Sequence, residues 1–340
     1  MKKFRNKLWI FLFFSFLLSG CYKNDEFEKL ENSIISPANL HWTSHEMPQN
    51  WTPRDGACFL VFKDYLYLIG GWGYDVPYSG GRLLSEVWRT FDGLVWERLP
   101  DAPWTGRHGF GICEFKNKVY IVGGDLQSDC WVTDNFYQWE LLGNNLPFGK
   151  VYTPNLVALD NYMLLYGGLK WENDYSGKVI PSNSVFKSVD GFTWEELPKA
   201  PWLGRGLIHG IPKVGNKVFI IGGGTKQEGE TMDQMSDVWS TSDGLKWLKE
   251  SDSLPIPSRT HFSTIYSSGY FWISDGSINK QINVSNDLYI TKDFISVTKL
   301  QVPLDLRKRH ASSFIEFKNK LFLLGGPPTD LPNKTYWILD

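Results

Sequence analysis

The chain has 340 residues, enough for one large domain or two modest ones, and it is rich in aromatics (16%, including 16 Trp), Gly (32) and Pro (18). Its formal charge is −2; without Lys2, Lys3, Arg5 and Lys7 at the start, 31 basic residues stand against 37 acidic ones, a balance of −6. That balance excludes the basic footprint nucleic-acid binding needs, and the many turns and aromatics point to an all-β fold.

The first segment has the layout of an export leader. Four cations precede an apolar run from Leu8 to Leu18, too short to hold a bilayer as a stable span. Leu18-Ser19-Gly20-Cys21 follows and resembles the bacterial lipobox, which implies cleavage after residue 20 and acylation of Cys21. Two acyl chains anchor stably where one does not. Tyr22-Lys23-Asn24-Asp25-Glu26 resembles the surface-export signal of Bacteroidetes lipoproteins. These features predict an outer-membrane, surface-displayed protein that touches the membrane through its lipid alone, with residues 21–39 as a leash.

From residue 40 the chain repeats. A Gly pair follows an apolar strand at Gly70-Gly71, Gly123-Gly124, Gly167-Gly168, Gly222-Gly223 and Gly325-Gly326, and Asp275-Gly276 is a degenerate sixth copy. The spacings of 53, 44, 55, 53 and 50 residues indicate six units. Each unit carries four strand signals, A to D. Strand A follows a basic residue: Arg54, Arg107, Lys150, Arg205, Arg259 or Arg309. Strand B runs into the Gly pair. Strand C holds an aromatic: Trp88, Trp131, Phe186, Trp239, Tyr289 or Trp337. Strand D starts near Trp96, Trp139, Trp194 or Trp247. The sixth unit stops after strand C. Leu40-His41-Trp42-Thr43, which matches Leu94-Val95-Trp96-Glu97, is expected to supply the missing strand and so hide the open edges.

This pattern resembles kelch repeats over about residues 40–340. The resemblance implies one β-propeller of six four-stranded blades. Between strands C and D, Ser188-Val189-Asp190-Gly191-Phe192-Thr193-Trp194 resembles the Asp-box, with variants at Asp92-Gly93 and Asp243-Gly244; it reads as a structural turn. Cys58, Cys113 and Cys130, an odd set, suggest no disulfide framework.

In such a blade the D-to-A and B-to-C connections share one face, and the short A-to-B and C-to-D turns share the other. Long B-to-C segments in units one, three and four mark the first as the face that carries a site. Trp51, Trp72, Tyr74, Tyr78, Trp104, Phe148, Trp171, Tyr175 and Trp202 fall there, either as platforms for sugar rings or as plugs between blades. Arg54, Arg107, Arg205 and Arg309 would form an inward ring suited to a carboxylate or sulfate, or else bond to blade carbonyls. His108, His261 and His310 sit beside them. Carboxylates at Asp75, Asp125, Glu172, Asp174, Glu228, Glu230 and Asp233 could catalyse glycoside chemistry if correctly spaced. No zinc motif, nucleophile elbow or phosphate loop is present, and no metal or cofactor is expected.

The expected function is carbohydrate binding or processing on this face by a monomer. The repeat layout is also similar to galactose oxidase's central domain and to the kelch-type N-acetylneuraminate epimerases. The latter likeness implies a sugar mutarotase, with Glu228, Glu230 and Arg259 placed for an acid–base pair and a carboxylate clamp. A protein-binding scaffold is the third expectation.

Overall fold

The structure, a computed structural model, describes residues 35–74, 80–174, 176–226, 232–278, 283–326 and 334–340. The leader, Cys21, Asp75, Tyr78, Tyr175, Glu228 and Glu230 lie outside the described residues. Residues 35–340 form one compact unit.

Among the described residues, five antiparallel four-stranded sheets and one sheet of five strands build it, with smaller hairpin sheets beside them. The second is typical: Gly111–Phe115, Lys118–Val122, Cys130–Thr133 and Glu140–Gly143 pair in sequence order. The last sheet takes Ser313–Phe317, Lys320–Leu324 and Thr335–Leu339 from the end of the chain and Trp42–Glu46 from its beginning. Trp42 pairs with Leu339 and Glu46 with Thr335, the expected closure. Second strands such as Leu66–Ile69 and Leu321–Leu324 are fully buried. Neighbouring sheets pack face to face, as where Phe322 and Tyr336 meet Leu66 and Trp88; each buried side chain contributes roughly 1.5–3 kcal/mol.

The Asp-box is a turn device. Asp92 Oδ1 accepts the N–H groups of Leu94 and Val95, both at 2.8 Å. Thr90 Oγ1 accepts that of Gly93 at 2.9 Å. Gly93 needs its φ of +80°, and a Cβ there would lie 2.4 Å from the Phe322 ring.

At the other face a hydrogen-bonded belt joins all six units, one residue from each: Gly56, Gly109, Thr153, Leu207, His261 and Ala311. Gly109 N–H donates to Gly56 O at 2.9 Å, and Thr153 N–H to Gly109 O at 2.8 Å. Leu207 N–H donates to Thr153 Oγ1 at 3.0 Å. His261 N–H donates to Leu207 O, Ala311 N–H to His261 O and Gly56 N–H to Ala311 O, which closes the circle. Below the belt the innermost strands enclose a channel of about 360 Å³.

Two B-to-C segments expected as loops are β-hairpins: Trp72–Tyr74 with Gly81–Leu83, and Leu169–Asn173 with Ser176–Pro181. In the fourth unit strands B and C themselves lengthen to Lys217–Lys226 and Met232–Thr241. The fourth innermost strand is split. Ile208–His209 leaves its own sheet to pair in parallel with Phe262–Ser263, and only Lys213–Val214 stays behind.

Candidate functional site

The arginine ring does not face a ligand. Arg54, Arg107, Arg205 and Arg309 are at most 1% exposed. Arg107 donates through Nη1 and Nη2 to Asp129 at 2.7 and 2.9 Å, and also to Gly123 O and Thr105 O. Arg205 does the same with Asp237, whereas Arg54 reaches Glu86 Oε2 through Nη2 alone and gives Nη1 to Gly70 O. Each acid also accepts the indole N–H two residues later, from Trp88, Trp131 or Trp239. Burial lowers Arg54 to about 10, with Glu86 opposing the shift. Arg309 holds Gly325 O. Arg259, expected as a carboxylate clamp, is 2% exposed and holds Asp275 O and Pro257 O. These side chains knit strands within a blade.

The third unit departs from the rule. Val151, not Lys150, occupies the arginine register: its carbonyl accepts from Gly124 N–H, as that of Arg107 does from Gly71 and that of Arg205 from Gly168. Ser184 and Phe186 stand where the acid and Trp would be. Lys150 instead pairs with Asp174 on the surface.

Trp104 and Trp202, read as either platforms or plugs, are plugs at 3% and 2% exposure. Trp104 packs edge-on against Trp139 (5.8 Å) and Trp202 against Trp247 (5.4 Å), with Arg107 and Arg205 over their rings. Trp51 and Phe148 are buried likewise. Tyr74 is buried too, and its hydroxyl donates to Asp55 Oδ2.

Trp72 and Trp171 stay partly exposed, because each stands on a hairpin above the belt. Between them lie His108 and Tyr152, also partly exposed. Ring centroids step 6.0 Å from Trp72 to His108, 5.0 Å to Tyr152 and 6.0 Å to Trp171, a continuous row across three units. His108 is fixed from both sides. Its Nδ1 lies 2.8 Å from Asp125 Oδ2 and its Nε2 lies 2.9 Å from the Tyr152 hydroxyl. The row therefore offers flat apolar faces together with a carboxylate–imidazole–phenol chain.

Next to it, His310 Nε2 lies 3.5 Å from Asp55 Oδ2, and His261 packs edge-on against His310 at 5.9 Å. Burial would raise Asp55, but His310, His108 and the Tyr74 phenol outweigh it and hold the carboxyl below its ordinary range. His209 lines the channel with Nε2 unpartnered. Burial brings it down to about 4, against the pull of Asp55. Among the described residues no group of three or more His, Cys, Asp or Glu side chains could hold a metal.

Asp55, Tyr152 and His209 were not singled out from the sequence. The signal for Asp55 and Tyr152 lies in the residue after the arginine register, which reads Asp55, His108, Tyr152, Gly206, Thr260 and His310; His209, four residues after Arg205, lies outside it. This position varies from unit to unit while its neighbour repeats, as a ligand-facing position on a repeated frame should.

The Gly-pair repeat, the sheets in chain order and the belt around a central channel define a kelch-repeat β-propeller. No family model matches the chain. It is similar to Kelch-like protein 40 of Xenopus laevis, with 27% identity over 235 residues, covering 64% of this chain and 36% of that protein. The chain thus spans little more than a third of that relative's length. The solved structure of YjhT aligns with a TM-score of 0.65 at 13% identity, over 86% of this chain and 96% of that one.

Proposed function

We propose that this propeller is a lipid-anchored, surface-displayed protein that binds carbohydrate on its Trp72–His108–Tyr152–Trp171 row. The row carries the proposal. Four rings along one row suit the apolar faces of an extended saccharide, and the partly exposed Tyr152 hydroxyl, held by His108, supplies a partner for a sugar hydroxyl. The lipobox-like Leu18-Ser19-Gly20-Cys21 supports the anchor. Affinity electrophoresis against neutral and acidic polysaccharides tests the binding. Retention is expected for the parent protein, with loss in Trp72→Ala and Trp171→Ala. Folded protein that no glycan retards would overturn the proposal and move the search to a protein partner. Mass spectrometry of Cys21 tests the anchor.

The Asp125–His108–Tyr152 chain favours a second activity at the same row, sugar mutarotation. A base takes the anomeric hydroxyl proton as an acid protonates the ring oxygen. The bond from C1 to the ring oxygen opens and recloses on the other face, with no net redox change. Anomeric equilibration followed by NMR, at rates above buffer and lost in Tyr152→Phe, is the expected result; rates equal to buffer would remove this activity.

A further inference from the structure

The C-to-D turns carry a feature the fold does not require. The Asp-box fixes a Ser or Thr, an Asp or Asn, and a residue of positive φ, but leaves the next side chain free. In all five turns that side chain is apolar and exposed: Leu94 (51%), Tyr137 (52%), Phe192 (62%), Leu245 (53%) and Ile295 (77%). Each has its N–H bound at 2.8–2.9 Å to the Oδ1 of Asp92, Asn135, Asp190, Asp243 or Asp293, which fixes the turn and leaves the side chain outside. Strands A and C run the same way, so these tips share one face with the A-to-B turns that hold Lys63, Lys116 and Lys318. The aspartates among the turn acceptors are occupied by their own backbone. What the face offers outward is apolar tips interleaved with the ammonium groups of Lys63, Lys116 and Lys318 and the exposed carboxylates of Asp64, Asp134 and Asp160; the apolar tips suit the headgroup level of a bilayer.

The path of the chain selects the occupant. Ile35 is buried, and its N–H donates to Ser268 Oγ at 3.1 Å on an A-to-B turn. His41 N–H donates to Asp340 O at the end of a C strand. The described chain therefore begins, at Ile35, on the face that carries the tips. Thirteen residues separate Cys21 from Ile35, and a free coil of that length would span about 20 Å.

We propose that this turn face docks on a lipid bilayer, its five apolar tips seated at headgroup level and the aromatic row held outward. The inference rests on the lipid-anchor reading for its geometry, and the test separates the two. The mature acylated protein, bearing Leu245→Cys or Ile295→Cys with an environment-sensitive fluorophore, is reconstituted in vesicles of phosphatidylethanolamine and phosphatidylglycerol. Leu203→Cys, 72% exposed on the opposite face, is the control. Resident thiols do not compete: burial raises Cys58 to about 12, and Cys113 and Cys130 are buried.

The expected result is blue-shifted emission and quenching by lipid-borne nitroxide at 245 and 295, and neither at 203. Aqueous emission at all three positions on an acylated chain would overturn the docking proposal and leave the anchor standing. A shift that needs added protein extract and not vesicles would also overturn it. In a second measurement the unacylated chain from residue 22, which contains the whole compact unit, is co-sedimented with the same vesicles. Binding about tenfold weaker in Leu94→Ser/Phe192→Ser/Ile295→Ser supports the proposal even if Cys21 proves unmodified. Equal binding by parent and variant would contradict it.

Discussion

The third unit is a natural experiment on the buried ion pair of units one, two and four. Arg107→Val removes four hydrogen bonds, to Asp129 (two), Gly123 O and Thr105 O. It leaves the Asp129 carboxylate, whose side chain is 13% exposed, without its cation. Breaking one partner of such a pair costs about 3–5 kcal/mol, and the midpoint of thermal unfolding should fall by about 10 °C. Arg107→Val/Asp129→Ser/Trp131→Phe copies Val151, Ser184 and Phe186. It removes the stranded charge and the indole N–H that depended on it. This triple variant should recover most of the loss and return to within about 2 kcal/mol of the parent. Calorimetry on the three proteins is the assay. A single variant as stable as the parent, or a triple variant less stable than the single one, would refute the account of the arginine ring as internal fastening.

Other predictions follow from particular contacts. Gly93→Ala forces a side chain into the Phe322 ring at positive φ and should cost about 2–4 kcal/mol, read from urea midpoints. Burial raises Asp275 from 3.8 to about 7, with Ser312 opposing. The folded state therefore holds a proton the unfolded chain releases, and stability from this group is full below pH 4 and lost as pH rises toward 7. Asp275→Asn should flatten that fall. His209, lowered to about 4, acts in the opposite sense: its contribution is full above about pH 6.5 and lost as pH falls toward 4, so His209→Gln should flatten the acid-side loss. Both are checked by urea midpoints across that range.

The frame was legible because its signals repeat. Gly pairs at near-fifty-residue intervals, Asp-Gly turns and the match of Leu40-His41-Trp42-Thr43 to a D strand each reflect a local backbone need. The arginines were legible as a repeat, but their partners were not. Glu86, Asp129 and Asp237 lie 22 to 32 residues away in sequence, yet an acid two residues before the strand C aromatic was visible in the text of the chain. The sequence left Trp104 and Trp202 open between platform and plug for a related reason. An aromatic that recurs at one register in successive units packs against the recurring Trp of strand D. A ligand site breaks the repeat, and Trp72, Tyr152 and Trp171 do so. Their support by hairpins, with partners set by pairings such as Trp171 with Val179, depends on register that composition does not encode.

The strand borrowed from the start of the chain also sets an order of events. Among the described residues Trp42–Glu46 finds its partner in Thr335–Leu339, so it must wait while the residues between them are made. Single blades can form from local hairpins as they emerge, but the circle stays open until the final strand arrives. A chain threaded through a membrane leader-first would meet the same condition. Its ring cannot lock on the near side of the barrier while Thr335–Leu339 is still missing, and that strand acts as the latch.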